Sequence, residues 1–364
     1  MDLQTLYIAH RSKCIMEANI TSQEEDTSQS MLYVTFNQDA SCFAIGTETG
    51  FRIYSSYPFK DNFYRNMNGG IGIIEMLYRT NILALVGGGK NPKYAPNKVI
   101  IWDDHQGKVI GELRFMSYVK NVKLKRDKIF IVTEPKIYVF TFNTFELLID
   151  FETANNPKGL IAVSSSNNNS ILAFPEKETI GSVMIKNFDS QKEIKINAHQ
   201  SNLSCISLSQ NGNLLATASE KGTLIRVYNT ETKDLIKELR RGAERADIYS
   251  ISFDKNCNFL AVSSDRKTIH IFSLKGNEEN KEEEGKNQTS VFGKITSFFG
   301  MKSEYFNSEW SCTQFRINDL KSICAFGPDN CIFAITSDGK YYQASFDPKI
   351  KGDCKKIQEK NIFN

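Results

Sequence analysis

No stretch of the 364-residue chain offers the roughly 18 consecutive apolar residues that a membrane-spanning helix needs. The first ten residues lack a basic segment followed by an apolar one, so no export signal is expected. Charge of one sign is missing too: 45 Lys plus Arg face 42 Asp plus Glu, a net charge of +3. That balance argues against a globally basic nucleic-acid binder. The eight cysteines are scattered with no pair at Cys-x-x-Cys spacing, which supports neither structural zinc nor a disulfide framework. Free thiols of a reducing cytosol are the expectation.

Catalytic constellations are also missing. His10, His105, His199 and His270 lie in different parts of the chain, with no Ser/His/Asp or Cys/His set around them. Gly87-Gly88-Gly89-Lys90 resembles a phosphate cradle but lacks the second half of that motif and reads as a flexible turn. The sequence therefore predicts no enzyme, no metal and no cofactor.

What is present is a repeat. Phe51-Arg52-Ile53-Tyr54, Val99-Ile100-Ile101-Trp102, Ile137-Tyr138-Val139-Phe140, Val183-Met184-Ile185, Leu224-Ile225-Arg226-Val227-Tyr228 and Ile269-His270-Ile271-Phe272 are short β-rich runs. They recur about every 40 to 50 residues, the length of one four-stranded propeller blade. A second apolar run precedes each, at 42–46, 82–86, 129–132, 171–174, 214–218 and 259–263, and 331–336 begins a further pair. Helical periodicity is nearly absent. Seven paired-strand units predict an all-β chain, a single seven-bladed β-propeller with WD-like repeats over 1–364. Two stacked β-sandwiches would explain the even spacing less well.

One interval breaks the period. Residues 274–311 form a long insertion; its first part, 275–287, is polar and acidic and is expected to be disordered. The second part places Val291, Phe292, Ile295, Phe298 and Phe299 on one helical stripe.

The remaining signal is Leu239-Arg240-Arg241-Gly242. On an extended strand the two arginines leave opposite faces, so one element serves two pockets, and a guanidinium donates bidentate bonds to phosphate oxygens. The alternative is an exposed pair at a strand end, bridged to Glu238 or Glu244. This tetrapeptide resembles the Phe/Leu-Arg-Arg-Gly signature of PROPPINs, the β-propellers that bind polyphosphoinositides. Similar surroundings, from Asn197-Ala198-His199 to Asp247-Ile248-Tyr249, extend the resemblance over residues 31–346.

The resemblance implies two headgroup sites for phosphatidylinositol 3-phosphate and phosphatidylinositol 3,5-bisphosphate. The first would comprise His199, Ser201, Ser219, Thr223, Arg226 and Arg240. The second would comprise Arg241, Arg245, Ser263, Ser264, Lys267 and Thr268. Ser219 and Ser263 also read as small residues packed between strands, and His199 as a bridge between strands. The loop in blade six would insert into the bilayer through the Val291 to Phe299 stripe, with a short helix packed on the propeller or a partner-binding peptide as alternatives. The implied role is a monomeric cytoplasmic adaptor recruited to preautophagosomal, endosomal or vacuolar membranes. Lipid-transfer or conjugation proteins of autophagy would bind it through blades two and three, where 90–98 and the basic strand 120–126 are the candidate surface. A protein-interaction propeller without a lipid ligand is the competing reading.

Overall fold

A computed structural model of the chain describes residues 30–275, 308–318 and 321–363. Blade one is β1 to β4 (Met31–Phe36, Cys42–Thr47, Gly50–Ser55, Lys60–Asn66), and blade two is β5 to β8 (Ile71–Met76, Ile82–Gly87, Lys98–Asp103, Lys108–Arg114). Blade three is β9 to β12 (Val119–Leu124, Lys128–Thr133, Lys136–Thr141, Leu147–Glu152), and blade four is β13 to β16 (Ala162–Val163, Ile171–Pro175, Ser182–Asn187, Lys192–Asn197). Blade five is β17 to β20 (Leu203–Leu208, Leu214–Ser219, Leu224–Asn229, Leu235–Arg240), followed in blade six by β21 to β23 (Ile248–Phe253, Phe259–Ser264, Thr268–Ser273). Glu309–Trp310 is β24 and Thr313–Arg316 is β25, the fourth strand of blade six. Blade seven is β26 to β28 (Ser322–Phe326, Cys331–Thr336, Lys340–Ser345) and β30 (Lys355–Asn361), with β29 (Gly352–Asp353) between them in sequence.

Within each blade the four main strands pair antiparallel in chain order. The second strand is buried throughout in blade one, Cys42–Thr47, and likewise in blade seven, Cys331–Thr336. A strand covered on both faces reads as a continuous apolar run, which is why these segments stood out in the sequence. Outer strands such as Leu147–Glu152 are largely exposed.

One apolar cluster fills each of the seven junctions between neighbouring blades, which makes the sheets a closed ring. Among the described residues, blade one and blade seven exchange no strand. Their seam is aromatic: Tyr341 of blade seven stacks on Phe43 at 6.0 Å and meets Phe59 at 4.6 Å. The Tyr54 hydroxyl donates to the Ile362 carbonyl at 3.0 Å, and the Tyr341 hydroxyl to the Ser56 carbonyl at 2.6 Å.

Two features depart from the sequence expectation. Residues 355–361, past the last recognised repeat, supply the outer strand of blade seven. In blade four the innermost strand is only Ala162–Val163, and Ser164 to Asn169 follow as irregular backbone. Lys125, buried on blade three, donates to the carbonyls of Ser164 at 3.1 Å and Ser166 at 2.5 Å. The Tyr78 hydroxyl donates to the Ser165 carbonyl at 2.5 Å, so side chains stand in for missing ladder bonds.

Candidate functional site

The doubled arginine ends β20, the outer strand of blade five. Leu239 is fully buried in the cluster between blades five and six, so its neighbour Arg240 takes the face toward blade four. Arg241 follows on the blade-six side, donating from Nε to the Gly222 carbonyl at 2.9 Å and from Nη2 to the Glu244 carbonyl. Both arginines are nearly buried, 4% and 6% exposed. Gly181 and Gly222 make the two sides possible. Each sits at positive φ in a turn, and a Cβ would lie 2.1 Å from the His199 carbonyl oxygen at Gly181 and 1.8 Å from that of Ala246 at Gly222. The chain entering each cluster is thus seated on a glycine turn of the preceding blade.

On the blade-four side, β18, β19 and β20 align Thr217, Arg226 and Glu238 in register. The His199 ring lies 3.0 Å from the Thr217 hydroxyl. Arg226 donates to the Ala198 carbonyl at 2.7 Å and pairs with Glu238 at 2.9 Å. Burial, and after it the Arg226 charge, pull the His199 pKa down to about 4, so the ring is neutral near pH 7. Arg240 donates from Nε to the Ser308 hydroxyl at 2.9 Å. Ser219 lies two residues beyond Thr217 on the same face of β18, and Ser201 and Thr223 occupy the adjoining loop and turn. His199 therefore has the strand-bridging contact offered as its alternative, and Arg226 already has a carboxylate partner.

On the blade-six side, Arg241, Arg245 and Arg266 are linked through backbone. Arg245 Nε donates to the Glu220 carbonyl at 3.1 Å, and Arg266 Nη2 to the Arg245 carbonyl at 2.8 Å. Burial and then the Arg266 charge lower the Arg241 pKa below the usual guanidinium value. Ser264 and Thr268 share the face toward blade five, and Lys267 occupies the turn between their strands. Glu244, Asp247 and Asp265 moderate the positive charge here; Glu244 pairs with Arg266 at 3.2 Å.

Ser263 is a correction to the sequence reading. It is fully buried, and its hydroxyl donates to the Ser322 carbonyl of blade seven at 2.6 Å. Adjacent residues of a strand face opposite ways, so Ser263 and Ser264 do not share a pocket. Arg266 and His270 are additions. His270 lies on the face of β23 toward blade five, 3.1 Å from the Ser311 hydroxyl, and burial followed by the Arg241 charge brings its pKa to about 4. Its alternation with Ile269 and Ile271 was a usable signal in the sequence.

The PROPPIN family model matches residues 30–363. This chain is a PROPPIN. It is 33% identical over 354 residues to autophagy-related protein 18 of Dictyostelium discoideum, covering 92% of this chain and 94% of that one. Autophagy-related protein 18e of Arabidopsis thaliana is 34% identical over 345 residues, covering 94% and 90%. Among solved structures, KlAtg21 in complex with the coiled coil of AgAtg16 superposes with a TM-score of 0.73 at 25% identity, covering 92% of this chain and 99% of that one.

For this PROPPIN the membrane-insertion expectation, Val291, Phe292, Ile295, Phe298 and Phe299, lies outside the described residues, as does nearly all of 275–287. The end of the insertion is described: β24 adds in parallel to β20, pairing Leu239 with Glu309 and Arg240 with Trp310. Of the basic strand 120–126, Arg126 at its end is the exposed residue and the rest is buried or half-buried. Lys123 pairs with buried Glu75 at 2.9 Å, and Lys125 is spent on the blade-four carbonyls, which removes that strand as a partner surface. Loop 90–98 is mostly exposed, tied to blade two where the Gly70 N–H donates to the Asn91 carbonyl at 2.7 Å. Among the described residues no cluster of His, Cys, Asp and Glu could hold a metal, and no helix is long and apolar enough to cross a membrane.

Proposed function

We propose that this PROPPIN is a peripheral membrane adaptor that reads phosphatidylinositol 3-phosphate and phosphatidylinositol 3,5-bisphosphate on autophagic or endolysosomal membranes. The observation that carries this is the pair Arg240 and Arg241, which send guanidinium groups to opposite sides of one rim strand. Arg226, His199, Ser201, Ser219 and Thr223 surround the first, and Arg245, Arg266, Ser264, Lys267 and Thr268 the second. A dianionic phosphate needs several donors at once, and each side supplies cations with hydroxyls. Two such sites on one edge, with the Val291 to Phe299 stripe as a third contact, bind by avidity and release readily. Loop 90–98 of blade two is the proposed partner surface, with autophagy proteins such as a coiled coil as its occupants.

A second reading has an observation in its favour. Arg226 is paired with Glu238 and Arg241 with two carbonyls, so these cations also serve the ring itself as a protein-only scaffold. Vesicle flotation separates the two. Flotation that requires phosphatidylinositol 3-phosphate and is lost in Arg240→Thr/Arg241→Thr supports the lipid reading. Equal flotation of both proteins, with or without the lipid, refutes it.

A further inference from the structure

Beside the first cluster stand two large apolar side chains that the described residues leave mostly exposed. Trp310 is 62% exposed and Ile180 67%. Trp310 is the register partner of Arg240, and paired residues of adjacent strands share a face, so the indole stands next to the first arginine on the blade-four side. Its strand is fastened by the Lys237–Glu309 ion pair and by the Arg240 bond to Ser308. Ile180 occupies the turn between β14 and β15, whose next residue, Gly181, accepts a hydrogen bond from the His199 N–H at 3.0 Å. One apolar group thus borders the His199 end of the cluster and the other the Arg240 end.

We propose that Ile180 and Trp310 are interfacial anchors, entering the boundary between headgroups and acyl chains while the cluster between them holds an inositol phosphate. This rests on the lipid reading above and adds residues that the reading did not use. The chemistry favours a bilayer over a peptide. A peptide groove is lined continuously by apolar groups, whereas here Arg226, His199 and Arg240 come between Ile180 and Trp310, and the next exposed apolar residue on the Arg240 face of β20, Ile236, stands four residues away. Anionic and apolar groups within a few ångströms of each other are what the headgroup zone of a membrane presents. Tryptophan suits that zone, with an apolar ring and one N–H for the wet side.

The chain has two tryptophans, and the other, Trp102, is half-buried on blade two with its indole N–H 3.3 Å from Asp104. In a Trp102→Phe background all indole fluorescence comes from position 310. Vesicles containing phosphatidylinositol 3-phosphate should shift that emission to shorter wavelength, and bromines placed high on the acyl chains should quench it. The same quenching in the wild-type chain serves if Trp102→Phe folds poorly. Trp310→Ser and Ile180→Ser should each weaken vesicle binding roughly fivefold to tenfold. Binding of a water-soluble short-chain phosphatidylinositol 3-phosphate should be unchanged in both, and Trp310→Tyr should keep most of the vesicle affinity.

Soluble lipid bound with no shift or quenching on vesicles overturns the anchors and leaves the headgroup sites standing; the pair would then be a protein contact. Equal loss of soluble and vesicle binding in Trp310→Ser also overturns them, since the indole would only be supporting Arg240. If the wild type fails to bind the soluble lipid, the underlying lipid reading fails, and the anchors with it.

Discussion

Two histidines show how local the control of charge is. His199 and His270 lie on opposite sides of blade five, each half-buried and each near an arginine, and each has a pKa of about 4. In the unfolded chain an imidazole titrates near 6.5, so between pH 6.5 and 4 the unfolded state takes up protons that the folded state refuses. Stability is fully present above pH 6.5 and declines as pH falls toward 4. We expect the thermal midpoint to drop across that interval, and to drop less in His199→Gln/His270→Gln. Much of the site was legible at this scale. The arginines follow from strand alternation, and the same rule would have separated Ser263 from Ser264. The Arg226–Glu238 pair was not legible, because it depends on the register between β19 and β20.

Strands with strong apolar runs declared themselves, because burial on both faces leaves no polar interruption. Three elements did not. β24 and β29 have two residues each and pair in parallel with blades built earlier in the chain, β20 and β25, which no local pattern encodes. β13 is short because Ser164 to Asn169 favour turn conformations over a ladder. The carbonyls of Ser164 to Ser166 that follow it depend on Lys125 and Tyr78, so Lys125→Met should cost about 1–3 kcal/mol by leaving the Ser164 and Ser166 carbonyls without these donors. Amide exchange should then accelerate across residues 162–170 before the rest of blade four. Uniform protection in the variant would show that Lys125 does not hold this segment.

At the scale of the whole ring, the described residues join blade seven to blade one through side chains: an apolar cluster and two tyrosine hydroxyls that donate to carbonyls across the seam. Tyr54→Phe/Tyr341→Phe keeps the aromatic packing and removes both donors from carbonyls across the seam, at about 1–3 kcal/mol for each acceptor left buried. The urea midpoint should fall with an unchanged slope, because the ring would remain one cooperative unit. An unchanged midpoint would assign closure to packing alone. The same arrangement sets the order of events during synthesis. Blades one to four are each a single uninterrupted stretch, complete when residue 197 has left the ribosome. The edge of blade five is finished only when Trp310 emerges, and the seam closes only with Ile362. At about 5–20 residues per second, the arginine edge matures several seconds after the first four blades. A nascent chain can therefore hold more than half of its ring while its proposed membrane-reading edge is still unbuilt.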